Sequence, residues 1–231
     1  MKKIISIIPA RGGSKSIPKK NLVDFLGSPL ISKTIDQSLN SKHVHRTIIS
    51  TDDSETEEIS KKYGGEVIKR PKNISGDNAT TESALIHVLD TLKNTEDYMP
   101  DIVILLQATS PLRKENDIDS AVKLFINEKA DSLISGSKFE DFLFWEKRNE
   151  SWNPVNYNPD NRMRRQDRNP QFVENGSIYM FKPEILYKFN NRIGGKMVMF
   201  EMEFWQTWEI DTYDEIDLLS FYYTKFLIEE K

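Results

Sequence analysis

Cysteine is absent from the 231 residues, which removes a disulfide scaffold, a thiolate metal site and a thiol nucleophile together. Histidine is scarce: His43, His45 and His87 are the three present, and none is spaced from another as metal ligands on one helix face. No apolar run approaches the roughly 20 residues that cross a bilayer, in keeping with a mean hydropathy of -0.56. An excess of positive charge is missing too. The 32 Lys plus Arg meet 36 Asp plus Glu, for a net charge of -4, whereas a nucleic-acid binder carries a basic footprint. There is no internal repeat or low-complexity tract. These absences leave an ordinary soluble protein, expected to form a single domain over residues 1–231 with its own core. The opening Met1-Lys2-Lys3 and the apolar residues 4–8 stop at Pro9 and Arg11. That run is too short for a secretory leader, so it predicts a first strand and a cytoplasmic protein.

Five short apolar runs, at 4–8, 47–50, 66–68, 102–106 and 132–135, predict strands. Helical patterns lie between most of them. Ile31, Ile35 and Leu39 recur on one face across 29–39, and Ile118, Val122 and Phe125 do so across 115–128. Ser54 and Glu57 have capping-box spacing and predict a helix to Tyr63, ended by Gly64 and Gly65. Buried strands alternating with amphipathic helices predict an α/β fold: a mostly parallel sheet with helices on both faces and ligands beyond the carboxyl ends of the strands. The pattern breaks over 140–172, where Trp145, Trp152, Tyr157 and the run Arg162 to Arg165 make an aromatic, basic segment. Aromatics with Arg suit an interface, so this insertion is predicted to be a dimerisation arm. Strands are predicted at 177–181 and 197–202, then a closing helix over 212–228 with Ile216, Leu219, Tyr223 and Phe226 on one face.

Three stretches carry candidate chemistry. The loop after the first strand, residues 9–21, holds the four cations Arg11, Lys15, Lys19 and Lys20 and no acid. Gly12 and Gly13 would let its backbone take positive φ and turn amides into one concavity for phosphate. The loop fits neither the Walker A spacing nor the dinucleotide fingerprint, and a solvated Lys-rich turn is the competing reading. At Glu209-Ile210-Asp211, residues two apart on a strand would point both carboxylates at one cation, and hard oxygens in small number suit Mg²⁺. Against this, Asp211 or Thr212 sits where the last helix needs an N-cap, and Thr212 with Glu215 has capping-box spacing. The third stretch, 106–113, ends the fourth strand; Gln107 there offers a donor and an acceptor to a sugar, while Ser110-Pro111 reads as a turn.

Read in order, seven landmarks of this chain resemble the CMP-sialic acid synthetase family, the acylneuraminate cytidylyltransferases: Ile8 through Lys15 with Pro18, Lys20 and Asn21; Ser50-Thr51-Asp52; Arg70-Pro71; Gln107 through Arg113; Arg165-Gln166; Asn175-Gly176; and Ile210-Asp211-Thr212. The resemblance runs along nearly the whole chain. It implies a Rossmann-like domain of the nucleotide-diphospho-sugar transferase type, a homodimer built through the arm, CTP as donor, a nonulosonic acid sugar as acceptor and Mg²⁺ as cofactor. By position it implies nucleotide binding at Arg11, Gly12, Gly13, Ser14, Lys15, Lys20 and Asn21, with cytidine recognition near Arg70, Ala79 and Thr81. Gln107, Arg165 and Gln166 fall at the sugar. Asp211 falls at the metal, with Glu209 where the family usually has Asp, and Arg11, Lys20 and Asp211 take the catalytic roles. Ala108 and Val173 also depart from the family pattern, at the strand end and where some members carry Arg. A nucleotidyltransferase for another acceptor sugar, or a non-catalytic nucleotide-sugar-binding protein, are the rival expectations.

Overall fold

Residues 2–139 and 142–229 are described in a computed structural model of the chain. The expected boundary of the arm at Glu140 lies outside the described residues. The strands are β1 (Ile4–Pro9), β2 (Arg46–Thr51), β3 (Glu66–Lys69), β4 (Ile102–Leu106), β5 (Ser132–Lys138), β6 (Trp145–Arg148), β7 (Ser151–Pro154), β8 (Phe172–Phe181) and β9 (Met197–Met202). Seven of them form one sheet in the order β3-β2-β1-β4-β8-β5-β9, and β6 with β7 make a separate hairpin. The five expected early strands are all present. The β1–β2, β1–β4, β2–β3 and β5–β9 pairs are parallel, whereas β8 runs antiparallel between β4 and β5. β8 begins at Phe172 rather than at residue 177, because the chain leaving the arm pairs with the end of β5 before entering the core.

The helices are α1 (Leu30–Leu39), α2 (Ser54–Lys62), α3 (Thr81–Glu96), α4 (Asp117–Asn127), α5 (Pro183–Phe189) and α6 (Tyr213–Tyr223), the last continued by a π-helical turn at Thr224–Glu229. They cover both faces of the sheet. On one face Ile4, Ile8 and Ile104 pack with Ile31 and Ile35 of α1 and Ile118, Val122 and Phe125 of α4. On the other, Ile5, Ile7 and Val103 pack with Leu85, Val88, Leu89 and Leu92 of α3 and Leu186 of α5. Alternate residues of each central strand therefore serve opposite faces, which is why β4 reads as the uninterrupted apolar run Ile-Val-Ile-Leu-Leu.

Two local expectations are corrected. Leu39 is 47% exposed; the buried side of α1 is instead completed by Ser38, whose Oγ bonds Ser6 Oγ at 2.6 Å and Thr47 Oγ1 at 2.8 Å. The cap of α2 is Asp53, one residue ahead of the expected Ser54: its carboxylate accepts from the backbone N–H of Thr56 at 2.8 Å, and an ionised acceptor at that point also suits the helix dipole. A third cluster, of Ile17, Phe25, Leu30, Leu112, Ile210 and Leu219, joins the segments that follow β1 and β4 to α6 and the residues before it. Ile17, Leu112 and Ile210 each lie inside one of the three chemical stretches and are at most 1% exposed. Burial of these apolar side chains, worth about 1.5–3 kcal/mol each, is what draws three distant segments to one place.

Candidate functional site

Two of the three stretches, the loop after β1 and the end of β4, line a cavity of about 380 Å³; the third reaches its wall through Glu209, which bonds Gln107 and Thr109, and through Asp211, which pairs with Lys20. Arg11, Gly13, Ser14, Lys15, Lys20 and Asn21 of the loop line one side; Thr81 at the start of α3 and Gln107, Ala108 and Thr109 beyond β4 line the other. The loop's shape differs from the expectation. Neither Gly12 nor Gly13 has positive φ; the left-handed residue is Lys19, at φ 52°. Gly12 is required by close approach, since a Cβ there would lie 2.8 Å from that of Asp53. Its N–H donates to Asp52 Oδ1 at 3.0 Å, so that amide is engaged within the protein. Asn21 donates from Nδ2 to the Arg11 carbonyl at 3.1 Å and ties the two ends of the loop together.

The loop cations are already matched by acids. Arg11 donates to the Gly76 carbonyl at 2.7 Å and pairs with Asp77 at 3.3 Å, and Lys15 pairs with the same carboxylate at 3.0 Å. Those contacts, Lys15 foremost, hold Asp77 below the usual carboxylate range. Lys20 pairs with Asp211 Oδ1 at 2.7 Å. Asp77 is not legible as a site residue in the sequence, because nothing local marks it as the partner of an arginine more than sixty residues earlier.

Glu209, Ile210 and Asp211 form no strand; the Ile210 N–H donates to the Thr109 carbonyl at 2.9 Å, and the carboxylates on either side are aimed by that loop. Glu209 accepts from Gln107 Nε2 at 3.1 and 3.2 Å and from Thr109 Oγ1 at 3.3 Å. Burial first, and the charge of Asp211 second, push Glu209 above the ordinary carboxylate range. Both capping and chemistry are served in this segment. Thr212 and Glu215 form the capping box of α6, and Glu215 accepts from the N–H of Asp211 and of Thr212 at 2.6 and 2.7 Å. Thr212 is the cap, so the Asp211 carboxylate stays available to Lys20. The two carboxylates are hard oxygen donors that share one field, a set that fits Mg²⁺ completed by water and phosphate. Among the described residues, no group of three or more His, Cys, Asp or Glu makes a larger metal cluster.

The remaining expected residues fall elsewhere. Arg70, the residue after β3, is buried against the end of β2, donating to Ser50 Oγ at 3.0 Å and to the Ser50 carbonyl at 2.7 Å; neither it nor Ala79 lines the cavity. Arg165 and Gln166 line a separate hollow on the arm with Lys138, Arg168 and Pro170. The arm is rooted by stacked rings: Phe139 lies 4.4 Å from Phe142 and 5.5 Å from Phe144, with Phe204 at 5.7 Å. Trp152, beyond this root, is 65% exposed.

A cation-bearing loop and polar strand ends thus line one cavity of a Rossmann-like sheet, and comparison with known proteins gives the family. The cytidylyltransferase family model matches residues 5–229, and the chain belongs to that family. Over 139 residues it is 40% identical to the pseudaminic acid cytidylyltransferase of Campylobacter jejuni subsp. jejuni serotype O:23/36, covering 60% of this chain and 60% of that one. It is 30% identical over 234 residues to the N-acylneuraminate cytidylyltransferase of Streptococcus agalactiae serotype V, covering 99% of this chain and 55% of that one. The alignments thus span a little over half the length of these relatives. Among solved structures, CMP:2-keto-3-deoxy-manno-octonic acid synthetase complexed with CTP superposes with a TM-score of 0.73 at 18% identity, over 96% of this chain and 99% of that one. A 4-diphosphocytidyl-2C-methyl-D-erythritol synthase does so at 0.71 and 10%, over the same shares. These two likenesses concern the fold. Among the described residues no helix is long and apolar enough to cross a membrane.

Proposed function

We propose that this protein is a cytidylyltransferase that activates a nonulosonic acid as its CMP derivative, with CTP as donor and pyrophosphate as leaving group. The observation that carries the reading is the arrangement of the cavity. Arg11, Lys15 and Lys20 bring positive charge to its lining, Gln107 and Thr109 bring hydrogen-bonding groups that suit a sugar, and the carboxylates of Glu209 and Asp211, outside the lining, bond to it through Gln107 and Lys20. The higher identity to the pseudaminic acid enzymes, over a shorter alignment, puts that acid first among acceptors.

In this reading the acceptor's anomeric hydroxyl oxygen bonds to the α-phosphorus, the bond from that phosphorus to the bridging oxygen breaks, and the hydroxyl proton passes to solvent. Positioning and charge neutralisation supply the catalysis. Arg11 and Lys15 exchange Asp77 for phosphate oxygens, and Lys20 swings its ammonium between Asp211 and the charge growing on the α-phosphate. Gln107 holds the acceptor. Glu209 and Asp211 would hold Mg²⁺, which when bound supplies Lewis-acid stabilisation of phosphate charge. Among the described residues no histidine lines the cavity, and we assign no dedicated general base. Arg165 and Gln166 would reach the acceptor of a partner subunit from the arm, whose exposed Trp152 suits a homodimer interface.

The test is pyrophosphate release with CTP and Mg²⁺ against pseudaminic, N-acetylneuraminic and legionaminic acids and the eight-carbon keto acid. Turnover with a nine-carbon acid supports the reading; CTP binding without turnover moves the reaction to another acceptor, and absence of CTP binding removes the phosphate-loop role. Arg11→Ala is expected to raise the barrier by about 3 kcal/mol through kcat; an unchanged kcat with a raised KM for CTP would limit Arg11 to ground-state binding.

A further inference from the structure

Arg113 is 2% exposed and is not among the residues lining the cavity. A guanidinium has five N–H donors in one planar fork, and here neutral oxygens from three elements take them. Nε and Nη2 donate to the Ser177 carbonyl at 3.1 and 2.7 Å, Nη2 also to the Gln107 carbonyl at 2.8 Å, and Nη1 to Thr34 Oγ1 at 3.2 Å and Gln37 Oε1 at 3.1 Å. Asp117 and Glu209 act on it as charges at longer range. Burying a cation with no carboxylate bonded to it is costly, so packing alone is a poor reason for arginine at this position.

The geometry of the sheet supplies a better one. The β4–β8 ladder ends at the pair Leu106↔Ile178. One step further, Gln107 and Ser177 no longer pair with each other, and the carbonyls of both turn to the Arg113 fork. Just before Ser177, β8 bulges against β5, whose register jumps from Ile134↔Tyr179 to Gly136↔Glu174. In that bulge sits Gly176, in contact with both Glu209 and Gln107: a Cβ on it would lie 1.8 Å from Glu209 Oε1 and 2.5 Å from Gln107 Nε2. The opened strand ends are therefore where the site's polar groups meet, and Arg113 is what spans the opening from behind.

We propose that Arg113 is a positioning residue for the acceptor side of the site: it clips the carbonyls of Gln107 and Ser177 where the β4–β8 ladder opens, and so fixes the Gln107 carboxamide against Glu209. The inference rests on the function proposed above only in naming the acceptor as the substrate affected. A lysine cannot replace the fork, because a single ammonium on a flexible stem does not reach two carbonyls and α1 together.

The experiment uses the full chain with Arg113→Lys and Arg113→Met. Kinetics on wild-type protein and both variants give KM for CTP and for the acceptor, with active protein counted by CTP binding. The side-chain amide signals of Gln107, assigned by their loss in Gln107→Glu, are followed by NMR. We expect the Gln107 signals to move in both variants, the acceptor KM to rise roughly ten- to a hundredfold, and the CTP KM to stay within about twofold. Unmoved Gln107 signals would overturn the proposal, as would unchanged KM values with kcat falling only in proportion to the folded fraction, which is what a purely stabilising role produces. If Arg113→Met does not fold, Arg113→Lys decides. If wild-type protein turns over no acid in the panel, the function proposed above has failed, and the Gln107 signals alone decide the positioning role.

Discussion

Gly176→Ala probes the junction of fold and site most sharply. Gly176 has φ +64°, and the added Cβ would lie 1.8 Å from Glu209 Oε1, 2.9 Å from Glu209 Cδ and 2.5 Å from Gln107 Nε2. Two costs follow. A non-glycine residue held in the left-handed region loses about 1–2 kcal/mol. Displacing Glu209 also disrupts its hydrogen bonds from Gln107 and Thr109, and bonds to a charged group are worth about 1.5–3 kcal/mol. Together the loss is about 2.5–5 kcal/mol, a fall in Tm of roughly 10 °C for a chain of this size. Gly27→Ala is the control, because Gly27 has φ +78° with nothing within 4 Å of the added atom, so it carries the backbone cost alone. Thermal melts and urea midpoints of both variants measure the difference, and turnover measures what displacing Glu209 does to the site. We expect Gly176→Ala to lose clearly more stability than Gly27→Ala, and to lose activity beyond its folded fraction. Equal stability losses, or Gly176→Ala with wild-type KM and kcat, would refute the packing argument for Glu209.

Asp77→Asn removes the carboxylate that occupies Arg11 and Lys15; calorimetry should show tighter CTP binding at low salt, with the advantage shrinking as salt screens it, and weaker binding would contradict the exchange of Asp77 for phosphate. Glu209→Gln tests the buried charge. Because burial and Asp211 raise this group above its ordinary value of 4.5, the folded protein holds the proton more tightly than the unfolded chain, and the associated stability is present at low pH and lost as pH rises through the raised value. The variant should therefore melt higher than wild type at pH 7, with the gap closing as pH falls below the ordinary carboxylate range, while activity is lost; a lower Tm at pH 7 would contradict the assignment. Ile210→Ala opens a void in the cluster that anchors all three site segments and is expected to cost about 2–5 kcal/mol, with a urea midpoint shift and a rise in KM as Glu209 and Asp211 lose their support.

The expected strand at 102–106 matches β4 residue for residue, and the helix at 29–39 matches α1 to within its first residue. Both are legible because burial repeats locally, with the period of the element itself. α3 carries the same kind of signal in Leu85, Val88, Leu89 and Leu92, a helix beyond those expected from the sequence. The antiparallel course of β8 was not legible. An apolar run states that a strand is buried, and its direction depends on where the preceding arm delivers the chain.

The chemical stretches divide in the same way. The cations of residues 9–21 and the capping box at Thr212 and Glu215 stand out in sequence because each is a dense local pattern. What each cation meets does not stand out. Lys20 reaches Asp211 across 191 positions, Arg113 finds the Ser177 carbonyl 64 positions away, and Arg11 meets Asp77 in a loop that carries no motif. Glu209 and Asp211 act on each other as charges, and they are held by a loop pinned by Ile210 rather than by the strand expected from their spacing. The amino-acid order by itself thus determined the elements, the core faces and the kinds of charge the site can present, since these follow from periodicity and from short-range hydrogen bonding. Tertiary structure alone decided which charge faces which, where the β4–β8 ladder opens and why Gly176 can carry no side chain, since those depend on distances between segments that only the packed sheet sets.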